Sequence, residues 1–235
     1  IERPCLVCEF MEGASLKERL KPTGAQPAAL TWRERHAIAS DVARGLVFLH
    51  TVADPRVIHQ DVKPANILLG AAPGGNGGIV AKLADFGISR VVPELAATQA
   101  KSYVKTQHAA GTPIYMPMEL HRSGRVSVKV DAYAFGIVLL ELLTGRPPRD
   151  ERTAEPLAAS MYEALQDPRR HMQEFADPCA GSWKAKSWCK LAEIARGCSE
   201  HAYQRRCAVA DVVAEIDELA GRGARRRGLF GLGGA

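Results

Sequence analysis

Val57-Ile58-His59-Gln60-Asp61-Val62-Lys63-Pro64-Ala65-Asn66-Ile67-Leu68-Leu69 is the stretch whose reading decides the fold. Two apolar residues lead into it and three lead out. Between them an acid, a cation and an amide, Asp61, Lys63 and Asn66, fall within six positions. Strand-like runs on either side of a short polar loop hold such groups in a fixed relation. That suits a site which must position a hydroxyl, a phosphate and a metal ion together. A second short motif, Asp85-Phe86-Gly87, lies 24 positions beyond Asp61 and follows the apolar run Ile79 to Ala84.

Working outward toward the N-terminus, Trp32 to His50 carries apolar residues at helical spacing: Ala37, Ile38, Val42, Leu46 and Leu49. Thr31 opens that helix with a capping box to Glu34, hydroxyl and carboxylate each satisfying a free N–H of the other. Thr51 to Pro55 then turns the chain into the loop. Further upstream, Cys5 to Met11 reads as a short strand, Gly13 and Ala14 break it, and Ser15 to Leu20 starts a short helix. Lys21 to Leu30, rich in Pro, Ala and Gly, reads as a surface loop.

Toward the C-terminus, Gly70 to Gly78 is a Gly/Pro-rich loop between two strands, without the spacing of a phosphate-binding glycine loop. Residues 88 to 119 scatter Thr98, Ser102, Tyr103 and Thr106 among Lys101, Lys105 and His108, and end in Gly111-Thr112-Pro113-Ile114-Tyr115-Met116-Pro117-Met118-Glu119. Val126 to Gly145 is apolar enough for a buried helix, and a buried helix that begins with Asp131 needs that charge paired or hydrogen-bonded. Gly145-Arg146-Pro147-Pro148 ends it sharply. Pro156 to Leu219 is helical by pattern, most clearly at Lys186 to Cys198 and Ala208 to Leu219.

Composition narrows the class. The 235 residues are 46% hydrophobic and 24% charged, ordinary for a globular protein with a core. Net charge is +5, but Arg222, Arg225, Arg226 and Arg227 cluster in the Gly/Arg-rich stretch from Gly221 to Ala235, which reads as a disordered tail. The body is close to neutral and gives no nucleic-acid footprint. No apolar run approaches the roughly 20 residues needed to span a bilayer. Six scattered cysteines, with one lone Cys5-x-x-Cys8, read as thiols of a reducing, cytoplasmic compartment rather than as a zinc site. Ile1-Glu2-Arg3-Pro4 has neither start methionine nor signal peptide, and the chain reads as beginning in mid-fold.

The two motifs together resemble the eukaryotic protein kinases, whose catalytic loop is H-R-D-x-x-x-x-N and whose metal-binding motif is D-F-G. The similarity runs from residue 5 to about 219, nearest to plant receptor-like cytoplasmic kinases and interleukin-receptor-associated kinases. It implies an α+β, mainly α fold: the large lobe of a kinase with a small β hairpin at the cleft. Residues 1–14 would be hinge strand and linker, 15–220 the large lobe, and 221–235 the tail, with no small lobe in the chain. It further implies an ATP-dependent serine/threonine kinase using Mg²⁺ and acting on a protein substrate. Asp61 would orient the substrate hydroxyl, Lys63 steady the γ-phosphate, and Asn66 and Asp85 hold the metal. Glu9, Met11 and Leu68 would line the nucleotide pocket, with Cys8 as gatekeeper. His59, Phe86 and Gly87 would keep the loop in register, and Thr112 with Lys63 points to serine/threonine substrates. Asp131 would bond the catalytic-loop backbone, and Arg206 would pair with Glu119.

Departures from the pattern matter as much. Gln60 stands where the family has arginine, so activity is expected not to depend on a phosphate docking beside the catalytic Asp. Met118 takes a motif proline's place, with Pro117 one position early, and Cys207 replaces another proline after Arg206. A missing small lobe would leave the hinge exposed for a regulatory partner and keeps a second reading open: a pseudokinase-like binding module that recognises partners without transferring phosphate.

Overall fold

The computed structural model describes residues 5, 7–21, 29–72, 77–92, 103–106 and 110–222. The helix Trp32–Val47 begins where the capping box predicts, with the Thr31 N–H donating to Glu34 Oε2 at 2.7 Å. It buries Ile38, Ala39, Val42, Ala43 and Leu46 against the helix Val209–Leu219 and the strand Ile79–Leu83. Beyond Val47 the helix widens into one π-turn, Phe48–Val52, which turns His50 into the interior.

The centre of the molecule is the helix Val128–Thr144, in which fifteen residues from Val130 to Thr144 are buried. Apolar side chains on every face make it a core helix rather than an amphipathic one. Gly145 closes it in the left-handed conformation, φ 65°, where a side chain would be strained. Gly136 lets the helix Ala185–Cys198 come close, because a Cβ there would stand 2.7 Å from the Ser199 backbone nitrogen. A buried ion pair ties this core together. Arg35 Nη2 holds Asp177 Oδ2 at 2.5 Å, and its other donors reach the carbonyls of Leu30 (2.9 Å) and Leu142 (2.8 Å). With every guanidinium branch engaged, the desolvation cost of burying the charge is offset.

Strands are few and short, so the fold is α+β and mainly α. Among the described residues they form three antiparallel pairs. β2 (Ile67–Ala71) and β3 (Ile79–Leu83) make the hairpin, with Ile67 opposite Leu83. β1 (Val57–Ile58) pairs with β4 (Arg90–Val91), and β5 (Val104–Lys105) with β6 (Arg125–Val126).

Several expectations change. In the run Cys5 to Met11, the described residues form no strand, and Val7 and Phe10 stand 92% and 86% exposed. The helix expected from Val126 starts at Val128, because Arg125 and Val126 are taken up by the ladder with β5. Pro156 to Leu219 is broken into Leu157–Ser160, Pro168–Phe175, Ala185–Cys198 and Val209–Leu219, with a 3₁₀ turn at Pro178–Ala180. Prolines at the first helical positions set two of those breaks. Arg222, grouped with the tail by composition, is docked: its guanidinium pairs with Asp41 and its N–H donates to the Asp217 carbonyl at 2.8 Å. The rest of the tail, the centre of the 70–78 loop, and Thr98, Lys101, Ser102 and His108 lie outside the described residues.

Candidate active site

The loop between β1 and β2 gathers its polar groups on one carboxylate. Lys63 Nζ donates to Asp61 Oδ2 at 2.7 Å, Asn66 Nδ2 donates to the same oxygen at 2.9 Å, and the Thr112 hydroxyl donates to Oδ1 at 2.9 Å. Lys63 also donates to Thr112 Oγ1 at 2.8 Å, closing a ring of three side chains. A second bond from Asn66 Nδ2, to the Asp61 carbonyl at 2.9 Å, fixes the amide so that its oxygen takes no part. Pro64–Asn66 is a 3₁₀ turn, which brings Asn66 back over Asp61. Burial would raise the Asp61 pKa, but the bonds from Lys63, Thr112 and Asn66 outweigh it and hold the carboxyl below its usual range.

The loop backbone is clamped from below. Asp131, with no exposed surface, accepts from the His59 N–H at 2.8 Å and the Gln60 N–H at 2.7 Å, and His50 Nε2 lies 2.8 Å from its Oδ2. These bonds hold Gln60 at φ 69°, a left-handed conformation that costs a non-glycine residue about 1–3 kcal/mol. Facing the other way, the Gln60 side chain donates to the Ile88 carbonyl at 2.5 Å, and Ser89 Oγ donates to the His59 carbonyl at 3.1 Å. The His59–Asn66 loop and the segment after Gly87 are thus stitched together.

Hairpin register carries Asp85 to the same end of the cleft. The Ala84 N–H donates to the Asn66 carbonyl at 2.9 Å, so Asp85 is the next residue past Asn66's backbone partner. Asp85 is exposed, sits at φ 65°, and accepts from the Gly87 N–H at 3.3 Å. It makes no side-chain bond to Asp61 or Asn66 among the described residues. Phe86, 48% exposed, tilts against the His59 ring at 4.8 Å, and His59 Nε2 lies 3.1 Å from the Ala84 carbonyl.

The Gly13–Ala14 segment runs beside β2: the Gly13 N–H donates to the Leu69 carbonyl at 2.8 Å, and the Leu69 N–H to the Ala14 carbonyl at 2.9 Å. A Cβ on Gly13 would lie 2.7 Å from that carbonyl oxygen, so the approach needs glycine. Met11 and Leu68 consequently share the wall of an open cavity of about 620 Å³ with Ala65 and Ser15. Glu9 lies further out and pairs with Lys82. Cys8 is exposed, and no cluster of metal-binding side chains forms around the lone Cys5-x-x-Cys8 among the described residues. A second cavity, about 480 Å³, opens beside Lys63 and Thr112 and reaches Tyr115, Glu141 and Arg149.

Glu119 is the second residue of a short helix, Met118–Ser123, whose N-cap is Pro117. Arg206, 2% exposed, chelates its carboxylate: Nη1 binds Oε1 and Nη2 binds Oε2 at 3.2 Å. The remaining guanidinium donors reach the carbonyls of Glu200 (2.8 Å), Lys129 (3.0 Å) and His201 (3.3 Å). Met118 thus fills the first helical position.

Sequence reasoning missed His50, Ser89 and the Tyr115–Glu141 pair. The Tyr115 hydroxyl donates to Glu141 Oε1 at 2.8 Å, and burial pushes the Glu141 carboxyl up to about 8. His50 carried no signal, because only the π-turn aims it at Asp131. Glu141 could have been found: an acid inside an otherwise apolar helix invites the question of its partner.

Donor chemistry fits a magnesium ion: an amide oxygen on Asn66 and a carboxylate on Asp85 are hard ligands, one turned away from its own bonds and the other open to solvent. The protein kinase domain family matches residues 2–215. The chain is 36% identical over 226 residues to a probable LRR receptor-like serine/threonine-protein kinase of Arabidopsis thaliana, covering 95% of this chain and 24% of that protein. It is 38% identical over 204 residues to U-box domain-containing protein 51 of the same plant (85% and 24%). Against the serine/threonine-protein kinase pelle of Drosophila melanogaster it is 42% identical over 150 residues (63% and 28%). The chain therefore spans about a quarter of the length of the curated relatives it matches. No helix among the described residues is long and apolar enough to cross a membrane. Family match, catalytic loop and Glu119–Arg206 anchor lead to one conclusion: this chain belongs to the protein kinase family, alongside serine/threonine kinases of the receptor-like and pelle types.

Proposed function

We propose that residues 15–220 are the large lobe of a serine/threonine kinase that transfers the ATP γ-phosphate to a protein hydroxyl. The observation carrying this reading is the convergence of Lys63, Asn66 and Thr112 on the Asp61 carboxylate. Held ionised, Asp61 accepts the hydrogen bond of the incoming hydroxyl and aims its oxygen at the phosphorus. Lys63, already beside that carboxylate, sets its charge where negative charge gathers on the transferring phosphoryl oxygens. Asn66 and Asp85 hold Mg²⁺, which when bound neutralises phosphate charge. Met11 and Leu68 supply the apolar wall for the base, and the cavity beside Lys63 and Thr112 admits the substrate segment.

The test is thermal unfolding of the chain with and without Mg-ATP, because a ligand that binds only the folded state raises its stability. Wild-type protein should gain a few degrees at about 100 Kd of nucleotide, equivalent to about 2.7 kcal/mol. Asp85→Ala should abolish the gain, while Asp61→Asn should keep it and abolish phosphate transfer to a serine-containing protein. No shift with wild type would favour a binding module that uses neither nucleotide nor metal.

A further inference from the structure

Two of the six cysteines lie against each other. Cys198 ends the helix Ala185–Cys198 and is fully buried; Cys207 precedes the helix Val209–Leu219 and is partly accessible. Their sulfurs are 3.3 Å apart. The backbone sets this approach, since the Cys207 N–H donates to the Gly197 carbonyl at 3.1 Å. Gly197 leaves the room: a Cβ there would already stand 3.3 Å from Cys207 Sγ.

We propose that Cys198 and Cys207 form an oxidation site that closes to an intrachain disulfide on exposure to a hydroperoxide. The two thiols are unequal, which gives the reaction a direction. The hydrogen bond from the Cys198 thiol holds the Cys207 thiol below its usual range, while that same bond and burial push Cys198 up. Cys207, the accessible member, is the attacking thiolate. Its sulfur takes one oxygen from hydrogen peroxide as the O–O bond breaks, giving a sulfenic acid and, after protonation, one water. Cys198 sulfur then displaces that oxygen: the S–S bond forms, the S–O bond breaks, and a second water leaves with the thiol's proton. Two electrons pass from the sulfurs to the peroxide, so two thiols and one peroxide give one disulfide and two waters.

Placement gives the bond a consequence. Arg206, which chelates Glu119, is the residue immediately before Cys207. A disulfide needs its sulfurs about 2.05 Å apart, so closure draws the Arg206 loop toward the end of the helix Ala185–Cys198.

The experiment uses the full chain in its folded state. Limited hydrogen peroxide is followed by alkylation of remaining thiols and digestion with trypsin, without reductant. Trypsin cuts after Arg196, Arg205 and Arg206, so the two cysteines fall on separate peptides, 197–205 and 207–222. The expected result is those two peptides joined, about 2 Da lighter than their sum, and separated again by dithiothreitol. In Cys198→Ser, Cys207 should instead be trapped by dimedone as the sulfenic acid. In Cys207→Ser, Cys198 should stay reduced. A disulfide within the single peptide that holds Cys5 and Cys8, or joined peptides from Cys179 or Cys189, in place of this pair, or full alkylation of Cys198 and Cys207 after peroxide, would overturn the proposal.

Discussion

One helix buries two carboxylates ten residues apart and treats them in opposite ways. Near the N-terminus of Val128–Thr144, Asp131 is met by two backbone N–H groups and a histidine ring. Near the C-terminus, Glu141 is hydrogen-bonded by one phenol, Tyr115, and borders the cavity beside Lys63. Lys17 and Lys21 are near enough to act on it only through space. The lesson is that burial alone does not decide what an acid costs; the supply of donors does. Where donors abound, the carboxylate oxygens become the peg on which the His59–Gln60 backbone hangs. Where a single donor serves, the carboxyl retreats toward its neutral form.

The sharpest way to break this contrast is Asp131→Ala. It strands two buried amides and the His50 ring, and should cost about 3–5 kcal/mol in urea unfolding. A loss under about 1 kcal/mol would mean that water replaces the carboxylate unaided. Next comes Arg206→Ala, at the same end, where the guanidinium lies over the Tyr133 ring at 5.0 Å and bonds the Lys129 carbonyl. Leaving Glu119 unpaired should cost about 3 kcal/mol by the same measurement.

Glu141 offers a pH signature instead. Its carboxyl titrates near 8 when folded, against 4.5 as the ordinary value. The unfolded chain therefore releases this proton first as pH rises. Stability that depends on the neutral carboxyl is intact below about pH 4.5 and is lost as pH climbs toward 8. The decline should amount to a few kcal/mol, roughly, across that window. Glu141→Gln keeps the shape and the acceptor, and should flatten this part of the stability–pH curve. An unchanged slope would mean that another group titrates there. Smallest is Tyr115→Phe, which removes the one donor and should cost about 1 kcal/mol at pH 8, moving the midpoint of the decline upward. A downward move would contradict the role given to the phenol.

Much of this could be read from the chain because it is local. Asp61, Lys63 and Asn66 converge through a single turn, the capping box of Thr31 needs only Glu34, and Asp131 is conspicuous as an acid at the start of an apolar helix. What escaped depends on distant chain. Arg35 looks like an exposed helix charge until Asp177 arrives from 142 positions away. The two-residue ladders β1–β4 and β5–β6 are too short to leave a period-2 pattern. Cys5 to Met11 shows the opposite failure: an apolar, strand-like composition does not by itself make a strand, and Val7 and Phe10 stand exposed. Asp85 is intermediate. Its motif gave the position, but the register that sets it beside Asn66 comes from the hairpin.

Gln60 has one more implication. The fastening between the catalytic loop and the chain beyond Gly87 runs through an uncharged amide and the Ile88 carbonyl. Mobile ions screen charges and leave a neutral hydrogen bond almost untouched. That one fastening should therefore weaken little between dilute buffer and concentrated brine, unlike the Lys63–Asp61 ion pair beside it.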